Sequence, residues 1–120
     1  MQKTISKIIS LSKDIRYIAI CRNHKLISQI KQKLANTSSS ESDKYEELIV
    51  NPTILTLVKQ RGEIDCDGAK FVLIRYGKFY QLVIPIKNSH ISICIEKTAN
   101  PLTYVEPINK ILLNKKLIIK

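Results

Sequence analysis

The sequence predicts an α+β fold: a three-layer α/β/α domain built on a five-stranded antiparallel sheet, with its elements in the order αββαβββα. Three observations carry this expectation. Residues 70–97, KFVLIRYGKFYQLVIPIKNSHISICIEK, are three short apolar runs parted by Gly77-Lys78 and Lys87-Asn88-Ser89. β-branched and aromatic residues with turns at that spacing read as an antiparallel meander. Residues 15–21 are apolar on nearly both alternating faces, as a strand covered on two sides must be. Apolar stripes at helical spacing lie before, between and after these runs, enough to cover the sheet on both faces.

The first element is a short amphipathic helix over Thr4 to Ser12, where Ile5, Ile8 and Ile9 share a face and Lys3, Lys7 and Lys13 lie off it. In the strand that follows, Ile15, Tyr17, Ala19 and Cys21 point one way, and Arg16, Ile18 and Ile20 the other. Arg22-Asn23-His24-Lys25 is a polar turn, and Leu26 to Ile30 returns as an edge-like strand. Residues 34–42, LANTSSSES, form a flexible polar connector. Asp43 and Glu46 have the spacing of a capping box, so a helical segment follows, interrupted or kinked at Asn51-Pro52. From Pro52, the residues Ile54, Leu55, Leu57 and Val58 cover a broad arc before Gly62 ends the helix. In the meander, Gly77-Lys78 suits a tight primed turn with Gly at a position of positive φ, and Pro85 falls at a strand end or bulge. After Asn100-Pro101, the residues Tyr104, Val105, Ile108, Ile111 and Leu112 form one helical stripe, with Pro107 in the first turn. The chain therefore reads as a single domain over residues 1–114, followed by a frayed basic tail at 115–120.

A length of 120 residues, with 44% hydrophobic and 25% charged residues, fits one globular core and excludes disorder of the whole chain. No apolar run approaches a membrane span and no signal peptide is evident. Three widely spaced cysteines, Cys21, Cys66 and Cys94, fit neither a disulfide framework nor a zinc pattern, and a reducing cytoplasm is the simplest location. Cys21 and Cys94 read as small packed hydrophobes; a redox pair would require their strands to be neighbours. The net charge of +10 sits at the two ends: +7 over residues 1–33, −1 over 34–96 and +4 over 97–120.

The chemistry-bearing residues point away from catalysis. Glycines at 62, 68 and 77 cannot build a phosphate loop, and no cofactor is expected. His24 and His90 fall at predicted turns without ligands or partners at useful spacing. Asp65-Cys66-Asp67 reads as a solvated acidic loop rather than a cation site. The hairpin Arg75-Tyr76-Gly77-Lys78-Phe79-Tyr80 interleaves cations and aromatics as single-strand binders do. A cross-strand pair of Tyr76 and Phe79 flanking the turn explains the same residues.

The order of elements, with DIRYIAICRNHKLI near the start and LVIPIKNSHISICIEK near the end, resembles the roadblock/profilin-like superfamily. Closer still is the likeness to an uncharacterised archaeal family of small roadblock-like proteins, over most of residues 4–113. The Ser-rich stretch at 34–42 and Asn51-Pro52 depart from the family pattern. The resemblance implies a non-enzymatic homodimeric scaffold or regulatory domain, with a small GTPase or signalling complex as partner. It places the dimer interface on Ile54, Leu55, Val58 and Arg61 of the middle helix and on Phe71, Leu73 and Tyr76 of the adjoining strand. The charge distribution suggests a second reading. A basic patch of Lys3, Lys7, Lys110, Lys115 and Lys116 on the first and last helices would bind nucleic acid or an anionic membrane surface.

Overall fold

The computed structural model describes residues 2–22, 25–30 and 40–118. Five strands form one antiparallel sheet in the spatial order β2-β1-β5-β4-β3: β1 (Ile15–Arg22), β2 (Lys25–Ile30), β3 (Val72–Arg75), β4 (Phe79–Ile86) and β5 (Ser89–Glu96). Helix α1 (Gln2–Ile9) precedes them. A continuous helical path made of α2 (Ser40–Tyr45), a π turn (Glu46–Val50) and α3 (Asn51–Asp65) lies between β2 and β3. Helix α4 (Val105–Asn114) follows a 3₁₀ turn at Pro101–Tyr104. This is the predicted αββαβββα order.

Register decides the two faces of the sheet. Ile18, Ile93 and Leu82 form one cross-strand row, and Ile20, Ile91 and Ile84 the next. With Ile5, Ile8, Ile9, Ile108 and Leu112 from α1 and α4, these rows make the hydrophobic core. The opposite rows are Tyr17-Cys94-Gln81, Ala19-Ser92-Val83 and Cys21-His90-Pro85, and the segment from Glu46 through α3 lies on that side. A register shift between Ile15 and Tyr17 turns Ile15 into the α1–α4 core instead of the face of Tyr17. A bulge inserts one residue and so reverses the alternation.

Several local expectations are corrected. The helix neither breaks at Asn51-Pro52 nor stops at Gly62. Asn51 N–H reaches back to Glu46 O, and this wider turn accommodates the proline at the next position, where a regular α-turn would press its ring against a carbonyl. Asp43 lies inside α2 rather than at its cap. Gly62 is buried within α3, where a Cβ would meet Gly68 C at 2.9 Å and Ala69 N at 3.0 Å; it permits the returning chain to cross the helix. Gly77 has no positive φ, whereas Asn88 does, at 71°, so the left-handed residue falls in the β4–β5 turn. Of the expected connector, residues 40–42 open α2 and 34–39 lie outside the described residues, as does His24.

The basic tail is ordered through residue 118. Lys116 N–H donates to Leu113 O at 3.0 Å and Leu117 N–H to Leu112 O at 2.9 Å, the two bonds of a Schellman cap, with Lys116 at φ 58°. Leu117 folds back into the core at 4% exposure, and its carbonyl accepts Lys87 N–H at 2.9 Å. Residues 119–120 lie outside the described residues.

Candidate docking surface and the polar layer beneath it

The side of α3 turned toward the sheet is unusually polar. Glu47, Asn51, Leu55 and Gly62 are buried, spaced so that one stripe of the helical path faces inward. At the centre is the Glu47 carboxyl group, 1% exposed. Its Oε1 accepts from His90 Nε2 at 2.8 Å and Asn51 Nδ2 at 3.1 Å, and its Oε2 accepts from the Ser92 hydroxyl. Ser89 Oγ lies 3.3 Å from the other ring nitrogen of His90. Beside this cluster Cys94 Sγ donates to Gln81 Oε1 at 2.9 Å. His90 therefore lies inside β5, at 1% exposure, and not in a turn.

A serine, a histidine and a carboxyl group in contact invite comparison with a hydrolase triad, but the order differs. In a triad the imidazole bridges acid and nucleophile and the nucleophile faces substrate. Here the acid is the hub, and Ser92 is 0% exposed. The arrangement fastens a helix to a sheet. Fastening by hydrogen bonds has a cost: Asn51 Oδ1 and Gln81 Nε2 are buried without a hydrogen-bond partner among the described residues, each worth about 1–3 kcal/mol of lost solvation.

Because so little of α3 is spent on the core, its apolar residues remain outside. Leu57 is 63% and Ile64 76% exposed, with Leu48, Ile49 and Tyr45 also exposed at the start of the segment. Val50, Ile54, Leu57, Arg61 and Ile64 recur at intervals of four and three, one flank of the helix. Glu46 opens the same flank, and its Oε2 accepts the Tyr76 hydroxyl at 3.1 Å, which sets this flank on the β3 side. Burial, then the hydrogen bond and charge of Glu46, push the Tyr76 hydroxyl up to about 12. β3 pairs only with β4, so its outer edge is unpaired by any described strand. The Glu46–Tyr76 hydrogen bond thus sets the start of this apolar flank beside the end of an open strand edge.

The residues expected at a dimer interface divide accordingly. Ile54 and Arg61 lie on α3 outside the buried stripe, half-buried Val58 falls within it between Leu55 and Gly62, and Tyr76 lies at the end of β3 on the α3 side. Leu55 is corrected: it is 5% exposed and packs inward. Phe71 and Leu73 pack against the α1–α4 core instead, since Leu73 sits opposite Leu82. Leu57 and Ile64 belong to the flank, and the phase of Asn51, Leu55 and Gly62 would have revealed them. Arg61 is held by Asp65 at 2.5 Å, one turn on, and the guanidinium holds the Asp65 carboxyl below its usual range.

The other sequence candidates resolve locally. Tyr76 and Phe79 stack at 5.3 Å between centroids, and Arg75 lies over Tyr80 at 5.1 Å, so the hairpin's aromatics and cation engage one another. Cys21 and Cys94 lie on adjacent strands but opposite His90 and Tyr17 respectively. That offset of four residues, roughly 13 Å along a strand, is too far for a disulfide. Among the described residues no three His, Cys, Asp or Glu side chains gather as metal ligands, and no helix is long and apolar enough to cross a membrane. No family model matches the chain, and no curated protein matches it by sequence.

Proposed function

We propose that this chain is a non-enzymatic, homodimeric scaffold or regulatory domain that pairs through the outer flank of α3 and the open edge of β3. The observation that carries the reading is the stripe of half-buried Ile54 and exposed Leu57 and Ile64, beside a strand edge that no described strand pairs. Contiguous exposed apolar surface favours an interaction site, and an antiparallel edge is self-complementary about a twofold axis. Charge favours a second copy as occupant. The protein carries +10 overall, which opposes self-association, yet α3 holds two basic residues, Lys59 and Arg61, against two acidic ones, Glu63 and Asp65. Glu46 on the same flank offsets Arg75 of β3, so the surface is close to electrically neutral where two copies would meet. A small GTPase or signalling complex is the partner class that the roadblock-like resemblance implies, and a cytoplasmic location is the simplest reading of three widely spaced cysteines.

Light scattering or sedimentation equilibrium tests the pairing. At about 100 μM, where an interface of standard size is saturated, the protein should have twice the 13.7 kDa mass of one chain. Leu57→Asp, on an exposed position that does not touch the core, should return it to monomer with an unchanged melting temperature. A monomer at that concentration, or a dimer indifferent to Leu57→Asp, overturns the reading.

A further inference from the structure

On the other side of the sheet, α1 and α4 direct isoleucine and leucine inward and lysine outward. Lys3 and Lys7 lie one turn apart on the exposed face of α1, Lys110 on that of α4, and Lys13, Lys115 and Lys116 at the ends of the layer, all exposed. Acidic residues on this layer are Asp14 and Glu106. The two helices pack on one another. Tyr104 also ties the turn before α4 to the loop after α1, its hydroxyl 2.9 Å from Ser12 Oγ and 3.2 Å from Asp14 Oδ2. That tie brings two exposed leucines to one end of the layer: Leu11 at 39% and Leu102 at 57% exposure.

We propose that this face docks on an anionic lipid bilayer. Charge complementarity supplies the attraction, since a negatively charged leaflet draws clustered lysines within a Debye length. Composition favours lipid over nucleic acid. Every cation of the helical layer itself is lysine, a compact point charge; Arg61 lies on α3, and Arg22 and Arg75, which share the sheet face of Ile20 and Leu73, are strand residues beside the layer, Arg75 being engaged over Tyr80. The guanidinium forks that grip phosphates and bases bidentately are missing from the layer, and Tyr104, half-buried and tied by its hydroxyl, presents no stacking platform of the kind that single-strand binders use. Leu11 and Leu102 suit the headgroup boundary, where apolar side chains enter while neighbouring lysines remain with the phosphates. The inference stands apart from the proposed pairing, which uses the opposite face of the sheet.

Co-sedimentation with lipid vesicles tests it. The protein should bind vesicles of phosphatidylcholine and phosphatidylserine at roughly 3:1 and not vesicles of phosphatidylcholine alone, and 1 M salt should release it. The triple variant Lys3→Gln, Lys7→Gln, Lys110→Gln should lower partitioning by about a hundredfold, at about fivefold per lysine, with its melting temperature unchanged because all three side chains are exposed. Leu102→Ser should weaken binding at constant charge. Equal binding to neutral vesicles, binding untouched by the triple variant, or absence of salt-sensitive binding overturns the proposal. Displacement from the vesicles by an equimolar single- or double-stranded oligonucleotide also overturns it, assigning the face to nucleic acid.

Discussion

Gly62 shows how a single hydrogen atom is used. A glycine inside a helix ordinarily loses about 1 kcal/mol against alanine, so Gly62→Ala would stabilise an isolated α3. In this protein the new methyl group would stand 2.9 Å from the backbone carbon of Gly68, and a backbone atom cannot rotate away. Gly62→Ala should therefore destabilise by about 1–3 kcal/mol, measured as a lower urea midpoint with unchanged slope. Tyr76 gives a second residue-level outcome. Its pKa rises from 10.0 to about 12 on folding, so the unfolded chain loses the proton first as pH rises. The contribution of this group is present below pH 10 and is lost as pH climbs towards 12. Tyr76→Phe should flatten the fall in unfolding free energy across that window, with denaturation followed at fixed ionic strength. A fall of the same slope in both proteins would show that neither burial nor the Glu46 contact raises the pKa of this hydroxyl.

Among elements, α3 is the one whose attachment departs from the rule that amphipathic helices bury apolar stripes. Leu55 is its buried apolar side chain, and the other anchors are Asn51 and Gly62, with Glu47 in the π turn that leads into it. Local opening therefore costs less here than in β1 and β5, which are buried on both sides. Amides of α3 should exchange with deuterium well before those of β1 and β5, and should gain protection as protein concentration rises through the pairing range. Equal exchange in the helix and central strands would contradict this account. The sheet order's raw materials were legible in the sequence, because period-two strands and Asn88 or Gly77 turns are local signals. The fastening of α3 was not. Glu47 reads as one more surface acid until β5 is laid 43 residues further on, with His90 beneath it. The same holds for the Pro52 helix: local rules foresee a break, and only the π turn that begins five residues before Asn51 removes it. The β1 bulge escaped for a related reason, since Ile15 and Tyr17 alternate correctly in sequence and diverge only when paired with Ile95 and Cys94.

For the whole molecule, the two proposed surfaces combine in a definite way. Antiparallel pairing of β3 with its copy keeps the faces of the two sheets continuous, so the twofold axis stands normal to the sheet. Both α1–α4 layers then look to one side and both α3 helices to the other, and a dimer would present two lysine faces to one bilayer while its α3 side remained turned toward the aqueous phase. The arrangement of the central strands has a consequence of another kind. Ile18 pairs with Ile93, 75 residues apart in the chain, so the middle of the sheet joins its beginning to its end. During synthesis, β1 emerges with a partner in β2 on one side and a vacant edge on the other, and that vacancy persists until β5 leaves the ribosome. Closing so distant a pair makes the search for the native sheet slow relative to a helical bundle of equal size. The interval in which the isoleucine-rich β1 waits is the period when the nascent chain is most exposed to mispairing with its neighbours and most dependent on chaperones.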